Sequence, residues 1–481
     1  MSTTTEQATV RFGRRSTRGL LLGFSTPRVI VIGAAAAVAI AGLVAAAGRG
    51  FVISAVVWGP LLATAFVRVA GRPAVEWAPT AIQFGGRRQS GQTEYRAVVT
   101  RPRPAGTLAL GGDGAALRFH IDDSSGAALI HDPYRRTLTA VLSVSHPAFV
   151  LLDRDDRAQR VSRWGRVLAS LAQSGTLAAL QVTEATVPDP GDGLVEWFTS
   201  QGSGQVGWAA EQYAALLDQA RLGSSTHRTT VSIALNLRAA ARAVKPAGGG
   251  ISGAATVLRQ DMTALADALR QCGLTVGGWL GEADLAAVIR SAYEPALALD
   301  ARRDAGARLG LAGPVALSEH WDCLRHDSAW SAVLWISEWP RIDVPPDFLH
   351  PIIFAPGVRR TLSVTARPRP SEEALRQIRK EKTEAVADQA QKARVGQLAD
   401  LADAHEFQDL LDRERSVIAG HTDVEFCGLI TVTAPSRDLL DAARATVLRA
   451  AAQAACDVRP LYGQQAQGFI LAALPLARAA F

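Results

Sequence analysis

The sequence predicts an α+β fold behind an N-terminal transmembrane helical hairpin. Three observations carry that expectation: two uncharged apolar stretches near the N-terminus, short apolar runs punctuated by turns, and longer segments with apolar residues at helical spacing. Residues 29–47 (VIVIGAAAAVAIAGLVAAA) hold no charge and, at 1.5 Å per residue, cover about 28 Å, close to the hydrocarbon thickness of a bilayer. Only Gly48, Arg49 and Gly50 separate them from residues 51–67 (FVISAVVWGPLLATAFV). Two spans joined by so short a turn run antiparallel and leave both ends on one side. Arg11, Arg14, Arg15, Arg18 and Arg28 precede the hairpin, Arg68, Arg72, Arg87 and Arg88 follow it, and Arg49 stands alone in the turn. The positive-inside rule then predicts a multi-pass protein of the plasma (inner) membrane with both termini cytoplasmic. A secretory signal shares the Arg-rich start and Ala45-Ala46-Ala47. A second apolar span follows at once, however, and the first is longer than a usual signal core. A buried soluble helix would show a polar face, and this stretch has none.

The chain has 481 residues, 48% hydrophobic and 20% charged, which suffices for two or three domains and excludes disordered, collagen-like and disulfide-scaffold classes. The four cysteines, Cys272, Cys323, Cys427 and Cys456, form no CxxC pair, so neither a zinc ribbon nor a dithiol redox motif is available. A net charge of +6 is too small on this length to argue for nucleic-acid binding, so direct contact with nucleic acid is not expected.

The expected organisation is a basic N-terminus (1–28), the hairpin (29–68), a polar linker (69–104), a first mixed α/β region (105–345) and a second (346–481). Residues 107–110, 115–121, 127–131 and 137–144 read as an antiparallel meander, with Asp132-Pro133 as one turn. Asp155-Asp156 open a helix in which Val161, Trp164, Leu168 and Leu171 share a face. Strands are expected over 177–187, 228–237 and 274–280, helices over 208–221, 254–271 and 282–293, and a Gly/Asp/Ser loop over 188–206. The last hundred residues read as strand 424–433, helix 438–456, strand 457–462 and an apolar run 469–474.

Three segments share a texture: TAVLSVSHP (139–147), SAVLWISEWP (331–340) and CGLITVTAP (427–435). They predict equivalent central strands of repeated ferredoxin-like strand–helix–strand units. Between 370 and 420 lies a long helical insertion with a break near Gly396 and a stripe of Leu375, Ile378, Val395, Leu398, Leu401, Phe407, Leu410 and Leu411. Its charges segregate: Arg367, Arg369, Arg376, Arg379, Lys380 and Lys382 come early, and Asp400, Asp403, Glu406, Asp409 and Asp412 come late. The two clusters either pair with each other or offer a docking surface to an acidic partner or a second copy. Arg376, Arg379, Lys380 and Lys382 are the interface candidates, together with Trp335 and Trp339 on the 331–340 strand.

Catalytic signatures are lacking. No GxxxxGK[ST] occurs, Gly248-Gly249-Gly250 lacks the phosphate-binding lysine, no GxGxxG follows a strand, and no GxSxG marks a nucleophile elbow. His326, Asp327 and Ser328 are sequence neighbours, which is not how a triad is assembled. His320, Cys323 and His326, three apart, would share one helical face as a partial zinc site lacking a fourth ligand. Asp153 and Asp155 form a DxD after an apolar run, where a metal-dependent glycosyltransferase keeps cation ligands, although acidic residues also complement a first helical turn. No catalytic residue, cofactor or metal is expected.

The opening segments RFGRR, GLLLGFSTPRVIVIG, GRPAVEWAP and GQTEYRA, with the hairpin among them, resemble the PrgI family of two-helix proteins of conjugative type IV secretion. The part from RQIRKEKTEAVADQAQKAR through HTDVEFCGLITVTAP to GQQAQGFILAALPLAR is similar to the N-terminal, non-motor domain of TraC-type conjugation ATPases. Taken whole, the chain resembles an actinobacterial membrane-protein family of integrative conjugative elements that joins these parts without the motor. The resemblance implies a non-enzymatic inner-membrane scaffold that recruits a separately encoded conjugation ATPase and other channel subunits. It carries over no functional residue. Two other readings are an EccE-like component of type VII secretion, which also has paired N-terminal spans, and a membrane-tethered glycosyltransferase using Asp153 and Asp155.

Overall fold

The computed structural model describes residues 25–69, 71–98, 103–146, 149–188, 198, 200, 207–221, 225–295, 308–340, 342, 344–369, 371–394, 401–419 and 423–479. The basic N-terminal segment with Arg11, Arg14, Arg15 and Arg18, nearly all of the 188–206 loop, and the break near Gly396 with Val395, Leu398 and Asp400 lie outside these residues.

Two apolar helices, α1 (Thr26–Ala46) and α2 (Gly48–Phe66), open the structure, with almost none of their surface buried in the rest of the chain. They form an antiparallel pair. A Cβ added to Gly42 would lie 2.7 Å from the Gly50 carbonyl oxygen, whereas residues eight apart on one straight helix are about 12 Å apart. At the open end the Arg28 Nε–H donates to the Ala65 carbonyl at 2.7 Å.

The stretch expected as a polar linker is structured in its described residues. A short hairpin, β1 (Arg68–Val69) and β2 (Arg72–Pro73), leads into helix α3 (Ala74–Gln89) and strand β3 (Glu94–Arg96). The main sheet has 13 strands, all antiparallel to their neighbours. In chain order come β4 (Arg118–Ile121), β5 (Ala128–Asp132), β6 (Thr137–Ser145), α4 (Arg154–Gln173), β7 (Leu177–Pro188), α5 (Trp208–Arg221), β8 (Ser225–Asn236), α6 (Ala241–Val244), α7 (Gly250–Gln271), β9 (Thr275–Trp279) and α8 (Glu282–Tyr293). Then follow β10 (Ala316–Glu319), β11 (Leu324–His326), β12 (Ala329–Glu338), α9 (His350–Ile353), β13 (Arg359–Arg369), α10 (Ser371–Arg394), α11 (Leu401–Ile418), β14 (Asp423–Ala434), α12 (Arg437–Gln453), β15 (Asp457–Pro460) and α13 (Gln465–Ala472).

Strands β6, β7, β8 and β9 lie in the order β9-β6-β8-β7, and β12, β13, β14 and β15 in the order β15-β12-β14-β13. The two groups meet through β7 and β13. Of the three similar segments, the first two are β6 and β12, each first in its group. The third, β14, takes the place that β8 holds in the other group. Short apolar texture therefore marks a buried strand and not its position.

Alternation divides the core between the two faces of the sheet. Ala332, Leu334 and Ile336 of β12 pack with α9 and α12, while Val333 and Trp335 turn to the opposite face with α8 and α13. Helices α4 and α7 cover β6 and β8 on the first face. On the second face residues 473–479 cross the sheet centre, with Ser232 donating to the Pro475 carbonyl at 2.8 Å and Arg478 paired with Asp132 at 2.9 Å. Residues 469–474, expected as an apolar run, mostly belong to helix α13. That helix is apolar nearly all round because it is buried, so it lacks the polar stripe by which a surface helix is recognised.

Candidate functional site: the junction of hairpin and sheet

Helix α3 joins the apolar pair to the sheet. It starts where the Ala74 N–H donates to the Val67 carbonyl at 2.8 Å, and Ser25, just before α1, donates to Glu76 Oε1 at 2.6 Å. Its inner face carries Trp77, Phe84 and Arg87 at helical spacing. Trp77 meets the rings of Trp321 at 6.3 Å and Tyr462 at 5.3 Å, and Phe84 meets Trp321 at 5.4 Å. Trp321 lies in the β10–β11 turn and Tyr462 follows β15. Gly463 has φ +69°, and a Cβ there would strike the Trp321 ring at 2.6 Å, so the ring cluster needs glycine at this position.

Next to these rings lies an ion pair with a buried carboxylate. Arg87 pairs with Glu319 at 2.7 Å, and Glu319 is only 5% exposed. The same guanidinium donates to the Gly463 carbonyl, and Glu319 Oε1 accepts from the Ala466 N–H at 3.1 Å, in the first turn of α13. One arginine thus ties α3 to β10, to the turn after β15 and, through Glu319, to α13. Strand β3 adds a backbone tie by pairing Glu94, Tyr95 and Arg96 with Ser318, Leu317 and Ala316.

Trp335 belongs to this junction. The Arg72 guanidinium lies 5.8 Å from its ring and 5.9 Å from that of Trp77, and Trp335 packs against the second-face core. Trp339 is elsewhere. The β12–β15 register shifts between Ile336 and Glu338, and this bulge sends Trp339 to the opposite face, against Phe348 at 6.3 Å. The two tryptophans therefore share no surface, although a spacing of four on a regular strand would place them together.

Arg376, Arg379, Lys380 and Lys382 all lie on α10. The first three are exposed; Arg376 bonds the Glu372 carbonyl at 3.3 Å, and Lys380 lies 3.9 Å from Glu384. Lys382 is paired across the helical hairpin with Glu414 at 2.7 Å, and Arg413 bridges Glu381 at 3.5 Å and Asp423 at 2.6 Å. Ion pairs thus join the two helices, but of the segregated clusters only Lys382 takes part in these bridges, and its partner Glu414 lies outside the late acidic cluster. Ala374, Ile378 and Val417 pack between the helices.

The partial zinc site is corrected. His320, Cys323 and His326 fall on a β10–β11 hairpin and not on a helix, because a spacing of three is equally compatible with a tight turn. His326 Nδ1 bonds the Tyr293 carbonyl at 2.6 Å and its Nε2 contacts Ser331 Oγ at 2.7 Å, so its nitrogens are already engaged. Among the described residues no group of three or more His, Cys, Asp or Glu is placed to hold a metal ion. Asp153 occupies the N-cap position of α4 and Asp155 its first turn, where carboxylates complement the helix dipole. Asp327 and Ser328 serve other partners: Asp327 pairs with Arg290 at 2.8 Å, and Ser328 donates to Glu294.

In the sequence Arg87 stands out only as a charge flanking the hairpin, and nothing there joins it to Glu319, Trp77, Trp321 and Tyr462. Their only sequence signal is the polar and aromatic face of residues 74–89 inside an otherwise linker-like stretch. Comparison with protein-family models finds no match, and no curated protein matches the sequence.

Proposed function

We propose that the chain is a non-enzymatic, membrane-anchored platform of a conjugative, type IV-like secretion apparatus. In this reading α1 and α2 cross the inner membrane, both termini are cytoplasmic, and the sheet recruits a separately encoded ATPase and other channel subunits. The observation that carries it is the junction: Arg87, Glu319 and the Trp77–Trp321–Tyr462 cluster fasten an apolar hairpin to a broad sheet. A tethered enzyme needs only a flexible leash, whereas a scaffold must hold its docking surface at a fixed place relative to the bilayer.

We read the two strand groups as ferredoxin-like units, since each places its four strands in the order 4-1-3-2 with helices on the first-to-second and third-to-fourth connections. The helical hairpin α10–α11 then sits in the β13–β14 connection of the second unit, and exposed Arg376, Arg379 and Lys380 offer it to an acidic surface. The likeness of this part of the sequence to the non-motor domain of conjugation ATPases supports an ATPase as the partner.

The test is affinity purification of tagged full-length protein from detergent-solubilised native membranes, with the accompanying chains identified and their ATP hydrolysis assayed. A P-loop ATPase and membrane channel subunits are expected to co-purify. Recovery of the protein alone after clean extraction would overturn the platform reading, and a full-length protein that stays soluble without detergent would overturn the anchor.

A further inference from the structure

A partly enclosed crevice lies on the second face, above the β7–β13 seam, and it is independent of the membrane reading. Its volume is about 30 Å³ on a scale where one water needs roughly 10–15 Å³, which suits a ligand of a few heavy atoms. Strand register builds the floor. Thr361 pairs with Ala185 and Thr431, Ala185 pairs with Arg228, and one step along Thr183 pairs with Thr230. Alternate residues of four adjacent strands face the same way, so hydroxyl groups replace the valines usual at a sheet centre. Ser291 of α8 and Pro475 of the crossing C-terminal segment help form the walls.

Two features of this floor are unexplained by the fold. Thr183 and Thr431 are 4% and 1% exposed, yet neither hydroxyl has a hydrogen-bond partner. A buried hydroxyl left so is unfavourable, and here two line one space. The crevice also brings two guanidinium groups together. Arg359 donates to the Ser291 carbonyl at 2.8 Å and the Pro295 carbonyl at 3.3 Å, and Arg228 reaches Ser291 Oγ at 3.4 Å. Burial, reinforced by the Arg228 charge, pushes the Arg359 guanidinium down to about 10. The nearby Glu294 carboxylate offsets this in part, and it already accepts the Ser328 N–H at 3.2 Å and the Ser328 hydroxyl. Donors and positive charge therefore converge on one small space. The complement is a compact group that is both anionic and rich in acceptors.

We propose that this crevice binds a small oxyanion of phosphate or sulfate size, with Arg228 and Arg359 balancing its charge and the Thr183 and Thr431 hydroxyls donating to its oxygens.

The test uses the full chain in detergent, titrated with inorganic phosphate and with sulfate against sodium chloride at constant ionic strength, followed by calorimetry and thermal unfolding. Saturable single-site binding is expected, with a midpoint that rises with phosphate. Thr183→Val and Thr431→Val keep the side-chain shape and remove the orphan hydroxyls. Each is expected to hold or raise the ligand-free midpoint and to weaken phosphate binding about tenfold. Arg359→Gln is expected to abolish binding, and the two valine variants keep the test decisive should that protein fail to fold. Absence of saturable binding at millimolar phosphate would overturn the proposal. So would binding that both valine variants leave unchanged, since it would then lie elsewhere.

Discussion

Arg28, in the first turn of α1, donates its Nε–H to the carbonyl of Ala65 in the last turn of α2, and its guanidinium lies 5.2 Å from the Phe66 ring. The carbonyls of a last helical turn have no partner within their own helix, and a cation there also complements the negative end of the dipole. The open end of the apolar pair is thus closed by a charge-assisted bond, and its other end by the contact of Gly42 with Gly50.

That glycine contact is the more sensitive of the two. A Cβ at Gly50 would run into the Gly42 carbonyl, so a leucine forces the helices apart where close backbone approach provides most of the packing between apolar helices. Spin labels on exposed Ile30 and Phe66 in detergent are expected to report a short, narrow distance distribution, broadened and lengthened by Gly50→Leu. An unchanged distribution would contradict the role of this contact.

The hairpin was legible because Gly48-Arg49-Gly50 interrupts an otherwise uncharged stretch, and the strands because period-2 burial leaves a mark in sequence. The junction was not. Glu94, Tyr95 and Arg96 have no apolar alternation, and only partners more than two hundred positions away make them a strand. Trp339 left the face of Trp335 because of a bulge that no residue type announces. Arg87 reads as one more arginine among many until Glu319 is folded beneath it. Local pattern records what is buried along an element, while a site built from turns and helix ends depends on long-range register.

Gln181 is the clearest example of such register, being fully buried on β7. Its Nε2 donates to Ser363 Oγ at 2.7 Å and to the carbonyls of Leu471 and Leu474 at 2.9 and 3.2 Å, and its Oε1 accepts the Ala477 N–H at 2.6 Å. Gln181→Leu deprives the Ala477 N–H and the Leu471 carbonyl of this partner, while the Leu474 carbonyl keeps the Leu476 N–H at 2.9 Å; the expected cost is roughly 2–5 kcal/mol. Amide exchange should accelerate over residues 473–479 first. Uniform exchange with unchanged stability would show that the C-terminal crossing is held by its apolar contacts alone.

The four cysteines are buried and none is in a disulfide. Burial pushes the Cys323 thiol up to about 11 and the Cys456 thiol up to about 12, and raises Cys272 as well. Thiolate is the reactive form, so at pH 8 the folded protein should react with Ellman's reagent slowly, and all four thiols should react together on denaturation. One fast thiol in the native protein would reveal local opening around it.

His326 supplies a pH dependence whose sign follows from its surroundings. The tautomer that satisfies both contacts carries its proton on Nδ1, donated to the Tyr293 carbonyl, while Nε2 accepts from the Ser331 hydroxyl. Burial dominates and pushes the imidazole down to about 4, against 6.5 when unfolded. Between these values the unfolded chain takes up a proton that the folded chain refuses. Stability is therefore fully present above about pH 6.5 and falls as pH drops towards 4, by about 3 kcal/mol from this group. His326→Asn removes the titration. Urea midpoints in detergent at pH 7 and pH 4.5 should differ more for the parent than for the variant, the carboxylate contributions being common to both. Equal differences would mean that His326 is protonated within the fold, with Nε2 and Ser331 exchanging donor and acceptor roles.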